Sequence, residues 1–372
     1  MMKTEEIGIY WKRNVLASET TERKKSHITI ALNRDVQAHV STGFDDVSLV
    51  HNALPELDRE EIDLSCDLFG HRLGAPVIIE SMTGGTPIAA KINATLGRIA
   101  EELQIPMGVG SQRAAIDDSK LAYTFRVARE NAPSAFLLAN LGCPQIIRED
   151  GIERARAAVE MIKADALLIH LNALQESVQY EGQTHFRGAL GRIRELSSKL
   201  DVPVLAKETG AGVSRETAIS VERAGVKGID VAGLGGTSWA AVEYYRAREK
   251  RSARQARLGL AFWDWGIPTA ASIVEVARST KVKVIASGGV RNGLHIAKAI
   301  ALGAHYGGVA MPLLKSLSKG RNETKENLLS VIDELRTAMF LTGSWNLEQL
   351  HKCPVTVTGK TREWLVARGL LS

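Results

Sequence analysis

The sequence predicts a single (β/α)8 barrel, a TIM barrel, with an N-terminal extension and an insertion between strands 6 and 7. Short apolar runs of Val, Ile, Leu and Ala alternate with helical stretches, and eight such runs can be counted. Each run is bounded by turn residues, which is typical of strands buried on both faces. Repeated strand–helix alternation implies right-handed crossovers and closure into a barrel.

The predicted strands and helices follow in order along the chain. Helical spacing of apolar residues indicates amphipathic helices over 89–103, 152–162 and 215–224, among others. The predicted strand runs are 75–85, 105–113, 135–142, 166–172, 202–210, 226–237, 282–290 and 305–312.

The remaining segments are interpreted as additions to one barrel domain spanning 1–372. Residues 1–74 form an N-terminal extension whose end, 62–74, has the pattern of a small hairpin that plugs the bottom of the barrel. Residues 238–281 form a lid-like insertion, and residues 313–372 are mostly helical.

Composition indicates a soluble, cytoplasmic protein. Hydrophobic residues make up 45% and charged residues 24%, ordinary values for a globular chain. No apolar run approaches the roughly 18–20 residues that span a bilayer, and the N-terminus has no apolar region of the secretory type. Cys66, Cys143 and Cys353 are far apart and form no CxxC pair, which argues for a reducing compartment and against a disulfide framework or zinc site.

The charge pattern is mild, with a net charge of +5. Most basic runs are solvated helix faces or mobile loops, and a nucleic-acid site would need interleaved aromatics or a known module. No nucleic acid or membrane partner is therefore expected, although the densest basic stretch could attract an anionic substrate. That stretch contains Arg246, Arg248, Lys250, Arg251, Arg254 and Arg257.

Polar residues and glycines end all eight predicted strands. In such barrels the carboxyl ends of the strands share one rim, where active sites lie. A complete ring of these residues therefore predicts a ligand site. The ring comprises Met82, Thr83, Gly84, Ser111, Gln112, Arg113, Asn140, His170, Asn172, Lys207, Gly235, Gly236, Thr237, Gly288, Gly289, Ala310 and Met311.

The last two strand ends have the pattern of a phosphate site. ASGGV at 286–290 and GGVAM at 307–311 expose backbone N–H groups and precede helices. The alternative is that these glycines only permit tight turns. GLGG at 233–236 is not a dinucleotide fingerprint, because no GxGxxG opens a βαβ unit near the start of the chain.

Lys207 ends the fifth strand among apolar neighbours. Such a lysine can form a Schiff base, anchor a phosphate, or stabilise charge at N1 and O2 of a flavin. A surface position is disfavoured by the apolar context. Together with the two phosphate loops, Lys207 indicates FMN as the bound cofactor.

A series of motifs follows in order from residue 23 onward: RKKSH, SMTGG, GSQR, ANLG, IHLN with QE following, KETG, AGLGGTSW, WGIPTAAS and ASGGV. This series resembles that of the flavin-dependent, type 2 isopentenyl-diphosphate isomerases. Neighbouring FMN barrels such as the 2-hydroxyacid oxidases share the flavin site, but they lack the RKxxH and HLNxxQE motifs.

The resemblance implies roles for individual residues. FMN would contact Ser81, Met82, Thr83, Ser111, Asn140, Lys207 and Thr237, with its phosphate at Gly288, Gly289, Val290, Ala310 and Met311. The substrate diphosphate would be held by Arg23 and Lys24, with His27, Arg113, His170 and Asn172 nearby. Gln175 would reach the substrate and Glu176 would bind Mg2+, so that Gln175, Lys207 and His170 form the catalytic set. The family also implies NAD(P)H as reductant and a homo-oligomer, tetramer or octamer.

Three of these residues have simpler interpretations. His27 could be an ordinary helix residue, and Arg113 could pair with a carboxylate. Glu176 could be a solvent-exposed carboxylate at a helix start, a position that acidic residues favour.

The implied reaction adds a proton to the terminal alkene carbon of isopentenyl diphosphate and removes one from C2. Because no rim side chain is an obvious strong acid, the hypothesis is that reduced flavin supplies the acid–base group. One rival is an FMN oxidoreductase, which needs a late base; His295 is the candidate. Another is a phosphate-binding barrel without enzymatic activity.

Overall fold

A computed structural model describes residues 22–371 of the chain. Eight parallel strands close into a barrel, which confirms the predicted fold. In barrel order they follow the chain, and the last pairs with the first. They are β1 (Val77–Ile79), β2 (Met107–Gly108), β3 (Leu137–Gly142), β4 (Ala166–His170), β5 (Val204–Lys207), β6 (Gly228–Asp230), β7 (Lys283–Ala286) and β8 (Tyr306–Val309).

The register of the middle strands brings polar residues to one rim. Gly142 of β3 pairs with His170 of β4, His170 pairs with Lys207 of β5, and Lys207 pairs with Asp230 of β6. Parallel pairing at matched ends places these last residues side by side, although they are far apart in sequence. The paired strands β3 to β6 thus position the side chains at this rim.

Helices surround the barrel, and several begin at side chains that cap their first turn. Ser214 accepts a hydrogen bond from the Thr217 amide, and Asn292 accepts one from the His295 amide. No helix within residues 22–371 is long and apolar enough to cross a membrane. The helices span 22–33, Pro87–Leu103, Arg113–Asp117, Tyr123–Asn131, Cys143–Ile146, Gly151–Met161, Ala173–Val178, Ala189–Lys199, Arg215–Arg223, Trp239–Glu249, Ala253–Ala261, Thr269–Ala277, Gly293–Ala301, Met311–Leu317, Arg321–Leu341, Leu347–Lys352 and Gly359–Ala367.

An antiparallel hairpin, Cys66–Leu68 with His71–Leu73, lies ahead of β1. Its buried Leu68 and Leu73 pack in one cluster with barrel residues that include Leu138, Leu205 and Tyr306. These barrel residues lie near the amino-terminal ends of their strands. The hairpin therefore contributes to the core at the end of the barrel opposite the polar rim.

The segment between β6 and β7 contains three helices with different roles. Trp239–Glu249 and Ala253–Ala261 pack on each other and on Ala173–Val178. Thr269–Ala277 instead packs on β7 and on Arg215–Arg223, as a barrel helix does. The inserted part thus consists of the first two helices, and the third belongs to the barrel wall.

Candidate active site

A cavity of about 610 Å³ opens at the carboxyl ends of the strands. All the site residues assigned from the sequence line it, namely Arg23, Lys24, His27, Ser81, Met82, Thr83, Ser111, Arg113, Asn140, His170, Asn172, Gln175, Glu176, Lys207, Thr237, Gly288, Gly289, Val290, Ala310 and Met311.

Gln112, which the sequence pattern placed in the polar ring, is fully buried and has a structural role. Its amide donates to the Ala158 carbonyl, and its Oε1 accepts from the Asn140 amide at 2.9 Å. The side chain therefore links neighbouring strand ends, and Gln112 positions Asn140 for the cavity.

Lys207 is buried and surrounded by anionic and hydroxyl groups. Its Nζ lies 2.8 Å from Glu80 Oε2, forms an ion pair with Asp230, and donates to Ser287 Oγ at 3.3 Å. The sequence analysis missed Glu80, Asp230 and Ser287. A signal was present, because an acidic residue inside a buried apolar run, as in VIIES and GIDVA, requires a partner.

Electrostatics keep Lys207 charged. Burial by itself lowers its pKa, but the ion pairs with Asp230 and Glu80 outweigh burial and raise the pKa. Burial and the nearby Asp230 carboxylate raise the pKa of Glu80 to about 7, although Lys207 opposes that shift. A permanent cation and an acid that titrates near neutrality therefore lie together at the edge of the cavity.

The loops after β7 and β8 have the backbone conformation of an anion cradle. Gly288 and Gly289 adopt φ values of 92° and 73°, in the left-handed region that glycine favours. A Cβ at Gly288 would lie 2.2 Å from the Gly233 carbonyl oxygen, so a larger residue cannot fit. Together with the start of a helix at Met311, this arrangement fits the phosphate of a cofactor.

A second cationic group lies elsewhere in the cavity. Lys24 Nζ donates to the Ser111 carbonyl at 2.6 Å and lies 5.1 Å from the centre of the Phe125 ring. Burial lowers the pKa of Lys24 to about 7 and also lowers the pKa of Arg113, a shift that Glu176 opposes. Lys24 and Arg113 are therefore two desolvated cations in one cavity, and an anionic ligand would stabilise both.

His170 is held in a defined orientation at the end of β4. Its Nδ1 lies 2.7 Å from Asn140 Oδ1, and because an amide oxygen only accepts, Nδ1 carries the proton. Burial, followed by the nearby charges of Arg113 and Lys207, lowers the pKa of His170 to about 3. The imidazole is therefore neutral, and its Nε2 can accept a hydrogen bond.

Glu176 is 7% exposed, so the interpretation as a solvent-exposed carboxylate is wrong. Its Oε1 accepts from Asn172 Nδ2 at 3.1 Å and its Oε2 accepts from the Gln183 amide at 2.6 Å. Burial raises its pKa despite these hydrogen bonds. In the part of the chain that the structure describes, Asn172 Oδ1 and Gln179 Nε2 are buried without a partner, and both residues line the cavity.

His27 connects the N-terminal helix with the insertion. Its Nε2 lies 2.8 Å from Glu243 Oε1, and its ring contacts Trp239 edge-on at 5.1 Å. Glu243 also pairs with Arg246 at 2.6 Å, and Arg246 is only 4% exposed. The interpretation of the basic stretch as a solvated face is therefore wrong for Arg246.

Solved structures and a family model show which class of proteins shares this fold. The chain superposes on flavocytochrome b2 with sulfite bound with a TM-score of 0.68 at 19% identity, covering 96% of this chain and 87% of that one. It superposes on a mandelate oxidase variant with a TM-score of 0.62 at 16% identity, covering 92% and 98%. The model of the FMN-dependent dehydrogenase family matches residues 172–356. The chain therefore shares the fold of FMN-dependent dehydrogenases.

Curated relatives identify the family within that class. The chain is 51% identical to the isopentenyl-diphosphate delta-isomerase of Thermococcus onnurineus, over 94% of both chains. It is 50% identical to the enzyme of that name from Methanosarcina mazei, over 95% of this chain and 96% of the relative. The chain belongs to the isopentenyl-diphosphate delta-isomerase family.

Proposed function

We propose that this protein converts isopentenyl diphosphate to dimethylallyl diphosphate, with reduced FMN as acid–base cofactor and Mg2+ on the diphosphate. The observation that carries the proposal is that one cavity holds two separate sites for anions. One is the glycine cradle at Gly288 and Gly289, and the other contains Lys24 and Arg113. A phosphorylated cofactor and a diphosphate substrate together match these two sites.

The residues present fit FMN. Ser81 Oγ is buried without a partner among residues 22–371, and the cradle excludes any Cβ at Gly288. Lys207, whose charge is held by Asp230 and Glu80, would stabilise negative charge on the ring. The groups proposed to hold FMN are Ser81, Met82, Thr83, Ser111, Asn140, Lys207, Thr237, Gly288, Gly289, Val290, Ala310 and Met311.

The second group of residues would hold the diphosphate. Arg23, Lys24 and Arg113 supply cations, and an approaching diphosphate raises the pKa of Lys24, so that its ammonium form predominates at neutral pH. Neutral His170 and the unpartnered amide oxygen of Asn172 orient hydrogen-bonding groups of the ligand. Binding in this buried region excludes water and fixes the alkene in place.

Glu176 fits Mg2+ as its one carboxylate ligand. Each of its oxygens accepts one hydrogen bond and retains a lone pair for a cation. Within residues 22–371 no group of three or more His, Cys, Asp or Glu side chains could hold a metal ion. The remaining ligands would be diphosphate oxygens and water, a common arrangement for Mg2+.

When bound and reduced by NAD(P)H, FMN would supply the acid–base chemistry for proton addition to the terminal carbon and removal from C2, and the residues named above would hold it. His170 is neutral and buried, so it cannot serve as a strong acid. His27, which lies beside Glu243, and Gln175 line the same cavity and orient the ligand. Lys207, Gln175 and His170 form the proposed catalytic set.

An oxidoreductase would need a base late in the barrel, and the structure does not place His295 in that role. His295 packs on Phe44 with ring centroids 5.0 Å apart and does not line the cavity. Its location favours the isomerase over the hydride-transfer alternative.

An anaerobic assay tests the proposal. The purified protein is saturated with FMN, reduced with dithionite or NADPH, and supplied with Mg2+ and isopentenyl diphosphate, and dimethylallyl diphosphate is quantified. We expect product only from reduced protein, with the same sample left oxidised as the control. Absence of product from reduced, FMN-loaded protein would refute the isomerase activity. A colourless protein that does not take up FMN would support a scaffold instead.

Substitution of Gln175 tests its assigned position. Gln175→Ala removes an amide at the substrate end of the cavity and leaves the glycine cradle intact. We expect turnover to fall by about 100-fold while FMN affinity stays near that of the wild type. Equal losses of turnover and FMN affinity would contradict the placement of Gln175 at the substrate.

We also infer that the protein is cytoplasmic and homo-oligomeric, a tetramer or octamer, with 1–372 as one domain. Within the 238–281 segment, the helices Trp239–Glu249 and Ala253–Ala261 would act as the lid. Cys66, Cys143 and Cys353 are free thiols, as a reducing compartment requires. Leu54 and Trp265 are large apolar side chains that are 74% and 63% exposed, and subunit contacts would cover them. Light scattering on the purified protein tests the assembly.

A further inference from the structure

Lys207, Glu80 and Asp230 lie together at the inner edge of the cavity, and their charges do not sum to zero. Among residues 22–371, Lys207 is the one cation in contact with two buried carboxylates, Glu80 and Asp230, which are 5% and 1% exposed. With both carboxylates ionised the cluster has a net charge of −1, and a buried uncompensated charge is costly. One proton on one carboxylate makes the cluster neutral.

The hydrogen bonds indicate which carboxylate takes that proton. Asp230 accepts from Ser287 Oγ at 2.6 Å and also pairs with Lys207, so both of its oxygens are stabilised as a carboxylate. Glu80 uses only Oε2, which faces Lys207, and its Oε1 is buried without a partner in the described part of the chain. Glu80 also lines the cavity. Its free oxygen can therefore carry a proton at the smallest cost in lost interactions.

Apart from Lys207 and Asp230, no titratable side chain faces Glu80 from the neighbouring strands β8 and β2, both of which the structure describes in full. On one side β8 presents Gly308, whose hypothetical Cβ would lie 2.0 Å from Glu80 Oε1, and on the other side β2 contributes Met107 and Gly108. The charged groups that act on Glu80 are Asp230, which favours its protonated form, and Lys207, which opposes it. The protonation of Glu80 therefore depends on Asp230, on Lys207 and on the charge of the bound cofactor.

We propose that Glu80 takes up a proton when the bound flavin is reduced and so acts as a proton reservoir that stabilises the reduced, anionic cofactor. The inference rests on the proposed function, because it requires FMN beside Lys207. Two electrons from dithionite or a reduced nicotinamide and one proton convert the oxidised ring to its anionic reduced form. A second proton converts the Glu80 carboxylate to its acid, so the step consumes two electrons and two protons in total.

The physical cause is that the reduced ring and Glu80 compete for the one positive charge of Lys207. In the oxidised state the ring is neutral and Lys207 compensates only the two carboxylates, so Glu80 is ionised once the pH exceeds about 7, despite the net charge of the cluster. Reduction adds a negative charge beside Lys207, which then compensates the ring and Asp230, and an ionised Glu80 would be left without a counter-charge. Glu80 is therefore a positioning residue that acts on the cofactor through Lys207.

The pH dependence of the flavin midpoint potential tests the proposal. The pKa of Glu80 in the ligand-free protein is about 7. Above this pH, uptake of two protons with two electrons predicts that the equilibrium constant for flavin reduction falls hundredfold per pH unit, which lowers the midpoint potential by about 59 mV. In Glu80→Gln, uptake of one proton predicts a tenfold fall, about 30 mV per pH unit. Glu80→Asp, which retains an acid, is expected to restore the steeper dependence.

Glu208→Gln provides a matched control. Glu208 is also a buried carboxylate whose pKa burial raises to about 7, but it accepts from the amides of Thr209, Gly210 and Ala211 and does not line the cavity. Its variant is expected to keep the wild-type slope. The same slope in wild type and Glu80→Gln, or an equal change in Glu208→Gln, would overturn the proposal.

Infrared difference spectra of the wild type give a second measurement that needs no variant. Reduction is expected to produce a carbonyl band of a protonated carboxylic acid that shifts in D2O, and its absence would refute proton uptake by Glu80. Isomerase activity is assayed separately on the same samples. Activity without the steep slope would exclude only the reservoir, and the steep slope without activity would exclude only the isomerase.

Discussion

At the scale of single residues, the cavity determines which form of each titratable group is present. His170 bonds to Asn140 through Nδ1 and is surrounded by Arg113 and Lys207, so burial and positive charge both disfavour its imidazolium form. Lys207 is also removed from solvent but remains a cation, because Asp230 and Glu80 contact it directly. Contact with an opposite charge thus outweighs burial at Lys207, and no such contact exists at His170 within residues 22–371.

The low pKa of His170 predicts how stability depends on pH. Its pKa is lowered from 6.5 to about 3 in the folded protein. Between these values the unfolded chain binds a proton that the folded chain does not, so stability falls as the pH decreases, by up to about 1.4 kcal/mol per pH unit. His170→Gln should flatten this dependence in urea unfolding measured from pH 6.5 downward.

His39→Gln serves as the control for His170→Gln. The His39 side chain is 69% exposed, forms a surface ion pair with Asp264 and stacks on Trp263 with ring centroids 5.3 Å apart. Its variant should follow the wild-type dependence on pH. An unchanged slope in His170→Gln would show that His170 is not held neutral.

At the scale of elements, the glycine loop after β7 has no room for side chains. A Cβ at Gly288 would approach the carbonyl oxygen and the amide nitrogen of Gly233 to 2.2 and 2.3 Å, at a φ of +92°. Both contacts are with backbone, so the loop itself must move to accept the substitution. The proposed phosphate cradle then loses its geometry.

Gly288→Ala should therefore weaken FMN binding by at least about tenfold, measured by quenching of flavin fluorescence. Gly191→Ala is the matched control, because Gly191 lies in the helix Ala189–Lys199 and its added Cβ would meet nothing within 4 Å. That variant should bind FMN normally and gain about 0.5–1 kcal/mol of stability. Normal FMN affinity in Gly288→Ala would exclude the loop as a phosphate site.

The first helix of the insertion is attached through a buried ion-pair network. Arg246 contacts Glu243 at 2.6 Å and Glu181 at 3.1 Å, and Glu243 in turn holds His27 of the N-terminal helix. Removal of one member of a buried network leaves the other charges uncompensated. The network therefore joins two elements that both line the cavity.

Arg246→Met should destabilise the protein by about 3–5 kcal/mol, measured by chemical denaturation, because the buried Glu243 loses its guanidinium partner and keeps only His27. Lys250→Met is the comparison variant, since Lys250 also pairs with Glu181 but is 46% exposed. Its cost should lie within about 1 kcal/mol, the usual value of a surface ion pair. Equal costs for the two variants would contradict a structural role for the Arg246 network.

At the scale of the whole molecule, the barrel has a polar rim at one end and an apolar base at the other. Leu68 of the hairpin is fully buried among inward-facing barrel residues. Leu68→Ala should cost about 2–5 kcal/mol in denaturant unfolding, because it leaves a cavity at the base. Leu190→Ala, at a residue that is 45% exposed on the helix Ala189–Lys199, should change stability by no more than about 0.5 kcal/mol. A small effect of Leu68→Ala would mean that the hairpin is not part of the core.

Most of the fold and much of the candidate site could be predicted from the order of residues. All eight strands lie within the predicted runs, since a buried parallel strand is recorded locally as a short apolar run with turn residues around it. The limits of the insertion were not predictable, because the helix Thr269–Ala277 differs from an inserted helix only in what it packs on.

The barrel, the rim and the family motifs can be predicted from the order of residues, because periodicity, glycine spacing and ordered motifs are local properties of the chain. The charge states follow from the fold alone, because they depend on distances between residues far apart in sequence. Lys207 meets Glu80 and Asp230 only after β1, β5 and β6 take their places in the closed barrel. The burial of Glu176 and Arg246 likewise follows from packing, since exposed and buried carboxylates or guanidinium groups have the same local pattern.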